Sequence, residues 1–106
     1  MSKRKKLLRK AFRIAVFKRD DNRCRLCGDE KHESHDAHHI TDRNEMPNGG
    51  YVVENGIEVC TLCHEKAEVF HSSEGEMIIE GHTPSDLYAL INSSHEEAVK
   101  ASNKLK

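Results

Sequence analysis

The four cysteines of the chain fall in two pairs of the same spacing, Cys24-x2-Cys27 and Cys60-x2-Cys63, with 32 residues between the pairs. Each pair can bring two thiolates to one side of a turn, and two such turns complete a tetrahedral site for Zn²⁺. Gly28, directly after the second cysteine, allows the positive φ that a metal-binding turn requires. The pattern predicts a structural zinc site. A disulfide framework and a redox Cys-x2-Cys motif are the alternatives.

Three histidines lie where the cysteine pairs would bring them together. His38 and His39 fall in the segment between the pairs, and His64 follows Cys63 on a helix whose start the cysteines fix. Adjacent residues on a strand point to opposite faces, so one of His38 and His39 can ligate an ion while the other approaches from elsewhere. Four other histidines are predicted to be ordinary surface residues: His32, His35, His82 and His95.

These residues resemble the HNH endonucleases with the ββα-metal fold. The resemblance rests on the order Cys-x2-Cys, His-His-Ile, Asn, Cys-x2-Cys-His and covers about residues 12–71. It implies a small α+β protein whose core, residues 23–75, is a ββα-metal unit stabilised by the four-cysteine zinc site. We expect residues 1–22 to form a basic N-terminal helix and residues 76–106 a C-terminal helical extension, all within one nuclease domain spanning 1–106.

The resemblance also implies a role for each residue of the site. His39 matches the general base that activates water, and His38 and His64 match ligands of one catalytic divalent metal. Asn55 matches the residue that ties down the loop and helps to orient the base; its alternative interpretation is a left-handed turn residue before Gly56. The implied activity is hydrolysis of DNA phosphodiester bonds, by nicking or cutting, to leave 5′-phosphate and 3′-hydroxyl ends. The implied catalytic cofactor is Mg²⁺, Mn²⁺ or another divalent ion.

The chain departs from the family pattern at the metal ligands. Many members carry Asp where His38 stands, and some carry another His at the position of Glu68. Glu68 could ligate through its carboxylate, and His71 lies two turns after His64 on the predicted helix. Glu68 and His71 are therefore the two candidates for a third ligand of the catalytic metal.

The formal net charge of −1 conceals a strong asymmetry. Residues 1–25 carry eleven Lys and Arg against two Asp, a charge of +9, whereas residues 26–106 carry six against sixteen acids, a charge of −10. Such a basic segment is typical of a protein that meets a polyanion. The interpretation as solvated surface charges remains open for each cation. The predicted DNA contacts are Lys5, Arg9, Arg13, Arg23, Arg25, Arg43 and Lys66.

The elements that must position these residues follow from periodicity and capping signals. We expect an amphipathic helix over residues 5–19, with Leu8, Phe12, Ala15 and Val16 as its apolar stripe. The other expected elements are a polar loop at 29–36, a strand beginning near His38, an irregular loop at 41–56, a strand at 56–59, a helix from Thr61 through Phe70, a helix starting at Thr83-Pro84, and a polar tail that frays beyond 92–94.

Composition limits the remaining function classes. Hydrophobic residues make up 36 % of the chain, which predicts a thin core that zinc must supplement. No run of about 18 apolar residues and no signal peptide is visible, which favours a cytoplasmic protein, of the bacterial or phage type that the resemblance suggests.

The expected partners are DNA and a protein that supplies specificity. The competing hypothesis is a non-catalytic zinc module that binds DNA or a protein partner.

Overall fold

A short antiparallel sheet with a helix directly after it carries the site residues. The computed structural model describes residues 2–105. The helices and strands, in chain order, are α1 (Lys3–Arg19), β1 (Asp36–His39), β2 (Gly56–Val59), α2 (Thr61–Ser72), α3 (Pro84–Leu90) and α4 (His95–Asn103). The predicted small α+β class and the ββα order of β1, β2 and α2 are confirmed.

The pairing of the two strands fixes the register of the site. Asp36 pairs with Val59 at one end of the ladder, and His39 pairs with Gly56 at the other. Gly56 has no side chain because α1 packs against the sheet there: a Cβ at this position would lie 2.5 Å from Val16 and 2.6 Å from Phe12. Any larger residue at position 56 would therefore push α1 off the sheet.

Helix α1 begins earlier than predicted because Ser2 caps it. The Ser2 hydroxyl accepts a hydrogen bond from the backbone N–H of Lys5 at 3.2 Å. Phe12 and Val16 are buried as expected from the apolar stripe, and they form a small core with Tyr51. The inclusion of Ala15 in that stripe was wrong, since Ala15 is exposed. Helix α1 thus packs on the sheet through a few residues only, and most of its Lys and Arg side chains stay exposed.

The connection between the strands is more ordered than the predicted irregular loop. It contains three short 3₁₀ turns, at Arg43–Glu45, Pro47–Gly50 and Val53–Asn55. The C-terminal helices hold this connection. The Asn48 amide donates to the backbone carbonyl of Ser102 at 2.9 Å, and the Ser93 hydroxyl donates to the carbonyl of Glu54 at 2.9 Å.

The expectation of a fraying tail was also wrong. Residues beyond 94 form α4, whose N-terminus is capped by the Ser94 hydroxyl. Glu96 and Glu97 in its first turn favour the positive end of the helix dipole. Ala98 and Ser102 are fully buried. Small side chains on this face allow α4 to pack closely on the turns of the strand connection, which is a tertiary effect that local polarity does not reveal.

The prediction of a surface position for His35 was wrong, since only 1 % of this residue is exposed. Its Nδ1 faces Glu58 Oε2 at 2.5 Å and its Nε2 faces Asp29 Oδ2 at 2.7 Å. Burial alone would lower the pKa of His35, but the hydrogen bonds to Glu58 and Asp29 outweigh burial and raise it. The His35 ring therefore bridges two carboxyl groups and links β2 to the first cysteine turn.

Replacing His35 by Ala should lower the free energy of unfolding of the zinc-loaded protein by about 3 kcal/mol, because two carboxylates lose their buried partner. Urea unfolding followed by circular dichroism measures this. The exposed neighbour His32 supplies the control, and His32→Ala should change stability by no more than about 0.5 kcal/mol. Equal effects of the two variants would contradict the bridging role of His35.

Candidate functional site

The four cysteines meet at the start of α2. Their sulfur atoms all lie within 4.8 Å of one another, and Cys27 Sγ lies 3.6 Å from Cys60 Sγ. Four thiolates about 2.3 Å from one Zn²⁺ in tetrahedral geometry stand about 3.8 Å apart, so the cluster fits zinc. All four cysteines are free of disulfides. Because Cys60 is the N-cap of α2 and Cys63 lies in its first turn, the cluster fixes where that helix begins.

A second cluster of ligand atoms lies between β1 and α2. His38 comes from β1, and His64 and Glu68 stand one turn apart on α2, with their ligand atoms within 4.8 Å of one another. Glu68 Oε1 is 3.3 Å from His38 Nδ1 and 3.3 Å from His64 Nε2. These separations are those of neighbouring ligands about 2.1 Å from one cation.

The chemistry of this second cluster suits a divalent metal. His38 is 1 % exposed, and its Nδ1 forms no hydrogen bond of good geometry with any residue in 2–105. Burial lowers the pKa of His38, so its ring is neutral near pH 7 and can offer a lone pair. The close approach of the His38 ring, 3.3 Å away, is the main cause that lowers the pKa of Glu68 to about 2, so its carboxylate is ionised. Both side chains are thus held in the protonation state that a metal ligand needs.

Asp36 lies next to His64 at the edge of this cluster. The His64 Nδ1 lies 3.2 Å from Asp36 Oδ2, on the opposite side of the ring from Nε2. A carboxylate close to Nδ1 favours the tautomer that carries its proton there and leaves Nε2 free to ligate. Sequence reasoning missed Asp36, because the antiparallel register and the position of α2 together bring it to His64.

The structure brings Glu68, and not His71, into the cluster. The His71 Nε2 donates to the backbone carbonyl of His39 at 3.0 Å, and its ring stacks on His38 with the centroids 5.2 Å apart. Since a carbonyl can only accept, this nitrogen carries its proton. His71 therefore holds the end of β1 in place and supports the ring of His38.

His39 lies beside the cluster, and its ring faces the other side of β1 from that of His38. The ring packs against Phe12 with centroids 4.5 Å apart and meets the edge of Tyr51 at 5.0 Å. Burial is the main cause that lowers the pKa of His39 to about 4. The imidazole is therefore neutral near pH 7, which is the form that accepts a proton.

Asn55 pairs with the chain just beyond His39. Its Oδ1 accepts from the backbone N–H of Thr41 at 2.9 Å, and its Nδ2 donates to the Thr41 carbonyl at 3.1 Å and to the Gly50 carbonyl at 3.3 Å. The alternative interpretation as a left-handed turn residue is wrong, since Asn55 is not among the positive-φ residues. The side chain of Asn55 thus continues the hydrogen bonding between the two strands beyond their last backbone pair.

A groove joins the second cluster to the basic side of α1. His38, His39, His64 and Glu68 line it together with cations of α1 and of the strand connection. A neighbouring groove continues past Arg43 toward the N-terminus of α1, where Lys5 and Arg4 line it. The cations that line the first groove are Lys6, Arg9, Lys10, Arg13 and Arg43.

Three of the predicted DNA contacts do not line these grooves. Arg23 pairs with Glu30 at 2.8 Å, and Arg25 pairs with the buried Asp20 at 2.6 Å. Lys66 lies two residues from both His64 and Glu68, about 200° around the helix, and so faces away from them. The structure therefore gives Arg25 a role in stabilising the fold, whereas Arg23 and Lys66 are surface charges.

A two-stranded antiparallel sheet, a following helix and a cluster of possible metal ligands between them are the elements of a ββα-metal fold. Residues 24–70 match the model of the HNH endonuclease family. This match agrees with the resemblance drawn from the sequence, and the clustered cysteines fit the zinc-binding subgroup of that family. No curated protein and no solved structure matches the chain.

The matched segment contains the four cysteines, His38, His39, Asn55 and His64, but it excludes α1, α3 and α4. The match thus suggests nuclease activity in general, which members of the family direct at DNA. Within residues 2–105, no helix is long and apolar enough to cross a membrane.

Purified protein should retain about one equivalent of zinc per chain after dialysis against a weak chelator. Cys60→Ala should abolish this zinc and unfold the domain, because a structural zinc site contributes its binding energy to folding. The matched control is His64→Ala, which alters the second cluster alone and should keep the equivalent. Zinc content by elemental analysis and far-ultraviolet circular dichroism provide the measurements. Full zinc retention in Cys60→Ala would contradict the four-cysteine assignment.

Proposed function

We propose that this protein is a divalent-metal-dependent endonuclease that hydrolyses DNA phosphodiester bonds. One observation carries the proposal: a cluster of two imidazoles and a carboxylate lies beside a neutral histidine, in a groove that is also lined by the cations of α1. The proposed ligands of the catalytic metal are His38, His64 and Glu68. The proposed general base is His39.

The chemistry of phosphodiester hydrolysis requires these groups together. A bound divalent ion would neutralise the charge that develops on the phosphate and on the leaving 3′-oxygen. His39 would accept a proton from the attacking water, for which its neutral form and partial exposure are suited. Asn55 would keep the chain after His39 fixed, so that the base holds its position relative to the metal ligands.

Two different ions are proposed for the two clusters. The four cysteines suit Zn²⁺, whose binding stabilises the fold. The second cluster offers two imidazole nitrogens and one carboxylate, a mixed donor set that favours transition ions such as Mn²⁺ or Ni²⁺ over Mg²⁺. The catalytic ion would therefore be Mn²⁺, Ni²⁺ or, with lower affinity, Mg²⁺.

The groove gives the DNA backbone a path to the metal cluster. Five cations and three carboxylates line it, but Glu68 belongs to the ligand set and Asp36 is engaged with His64. Arg13 is held by the His35 carbonyl at 2.9 Å and lies 3.6 Å from Asp36, so it braces the groove wall as well. Lys6 and Lys10 are exposed cations on the same helix, and we propose them as phosphate contacts together with Lys5, Arg9 and Arg43.

Supercoiled plasmid incubated with the protein and Mn²⁺, Ni²⁺ or Mg²⁺ should be nicked. His39→Ala should slow nicking by about 100-fold or more, which is the usual contribution of a general base. The control is His32→Ala, which changes an exposed histidine outside the groove and should nick at the wild-type rate.

Absence of nicking by the wild type with every metal, or equal nicking by wild type and His39→Ala, would contradict the catalytic assignment. Retained DNA binding without any nicking would instead favour the non-catalytic zinc module.

The Lys6→Ala/Lys10→Ala variant should bind duplex DNA more weakly and with a smaller salt dependence. Each lost phosphate contact lowers the slope of log K against log salt by about 0.9, so the double variant should lose about two units. Fluorescence anisotropy over a salt series measures the slope. The matched control is Lys66→Ala/Lys100→Ala, which removes the same charge away from the groove. An equal change of slope in both variants would argue against a DNA path along α1.

A further inference from the structure

We propose that Tyr88, on α3 and outside the segment that matches the family, is a positioning residue for the base His39. The inference rests on the proposed function and deepens it, since it assigns to the C-terminal extension a part in the active site. Tyr88 is 5 % exposed, and its hydroxyl donates to Asn55 Oδ1 at 2.7 Å. Asn55 is the residue that pairs with the chain beyond His39.

The direction of each hydrogen bond in this network follows from chemistry. The backbone N–H of Thr41 can only donate, so the Asn55 atom that faces it is the acceptor Oδ1. The hydroxyl of Tyr88 must then give its single proton to the same oxygen. The hydroxyl of Thr41, 2.7 Å from that of Tyr88, therefore donates to Tyr88. The hydrogen bonds therefore run in one direction, from the Thr41 hydroxyl to the Tyr88 hydroxyl and from the Tyr88 hydroxyl to Asn55 Oδ1.

This network saturates the amide of Asn55. Oδ1 accepts two hydrogen bonds, from Thr41 and Tyr88, and Nδ2 donates two, to the carbonyls of Thr41 and Gly50. Asn55 is 0 % exposed, so no water competes for these bonds. A saturated, buried amide has one orientation, and here that orientation fixes Thr41, two residues after His39.

The position of His39 depends on this orientation. On one side, the backbone of His39 is held by its pairing with Gly56 and by the hydrogen bond that His71 donates to its carbonyl. On the other side, the ladder ends, and the carbonyl of Asn55 accepts from Ile40 at 2.8 Å before its side chain takes over at Thr41. Tyr88 thus holds Asn55 in the orientation that fixes the chain just after His39.

The Tyr88→Phe variant tests the proposal, because it removes one hydroxyl and keeps the ring that packs in the core. The cross-peaks of the His39 ring in a long-range ¹H–¹⁵N spectrum of the zinc-loaded protein should shift. The matched control is Ser93→Ala, which removes a hydroxyl that joins the C-terminal segment to the carbonyl of Glu54. In that control, the His39 cross-peaks should stay in place.

Nicking kinetics give the second measurement. For Tyr88→Phe, kcat should fall by about ten-fold or more, since a small displacement of a catalytic group is costly. KM for DNA, the affinity for Mn²⁺ and the zinc content should remain at wild-type values. Thr41→Val removes the other hydroxyl of the network and should lower kcat less, because Tyr88 still donates to Asn55. It also provides a test if Tyr88→Phe folds poorly.

Unchanged His39 cross-peaks in Tyr88→Phe and in Thr41→Val, or equal effects of Tyr88→Phe and Ser93→Ala, would overturn the proposal. A wild-type protein that cleaves no DNA would overturn the proposed function, and the histidine spectra would still decide whether Tyr88 positions His39.

Discussion

Four cysteine sulfur atoms meet at the first turn of α2, and the placement of the other site residues follows from this meeting point. The strands contribute only four residues each, and the hydrophobic content is low. Such a sheet would be marginal without a further link. A zinc ion bound by the cysteine cluster would supply it, since the cluster brings together the turn before β1, the end of β2 and the N-cap of α2. Because the N-cap of α2 belongs to this cluster, the cluster also sets the direction of α2 relative to β1.

That direction creates the second cluster. Once Cys60 and Cys63 set the start of α2, His64 and Glu68 fall on the face that looks toward β1, and the strand register places His38 opposite them. The same arrangement separates the positive and negative charges of the chain in space. The basic helix lies across the sheet and faces the groove, whereas many of the acidic residues belong to α2, α3, α4 and the turns around them.

The local part of this arrangement could be predicted from the sequence, and the long-range part could not. The cysteine pairs and His64 stand at short spacings along one helix start, so their placement follows from local geometry. His35 lies far along the chain from Glu58, and nothing in the polar segment around it indicates a buried bridge between two carboxylates. The contact of Tyr88 with Asn55 joins residues 33 positions apart. It depends on how α3 packs, which a tertiary structure alone reveals.

We propose that a metal held by His38, His64 and Glu68 lies beside His39, on a scaffold stabilised by zinc. Anomalous diffraction from crystals grown with Mn²⁺ tests this arrangement. A manganese peak is expected about 2.1 Å from the ligand atoms of these three residues, together with a separate zinc peak among the four sulfurs. A manganese peak elsewhere, or none in this cluster at saturating Mn²⁺, would show that these residues do not hold the metal.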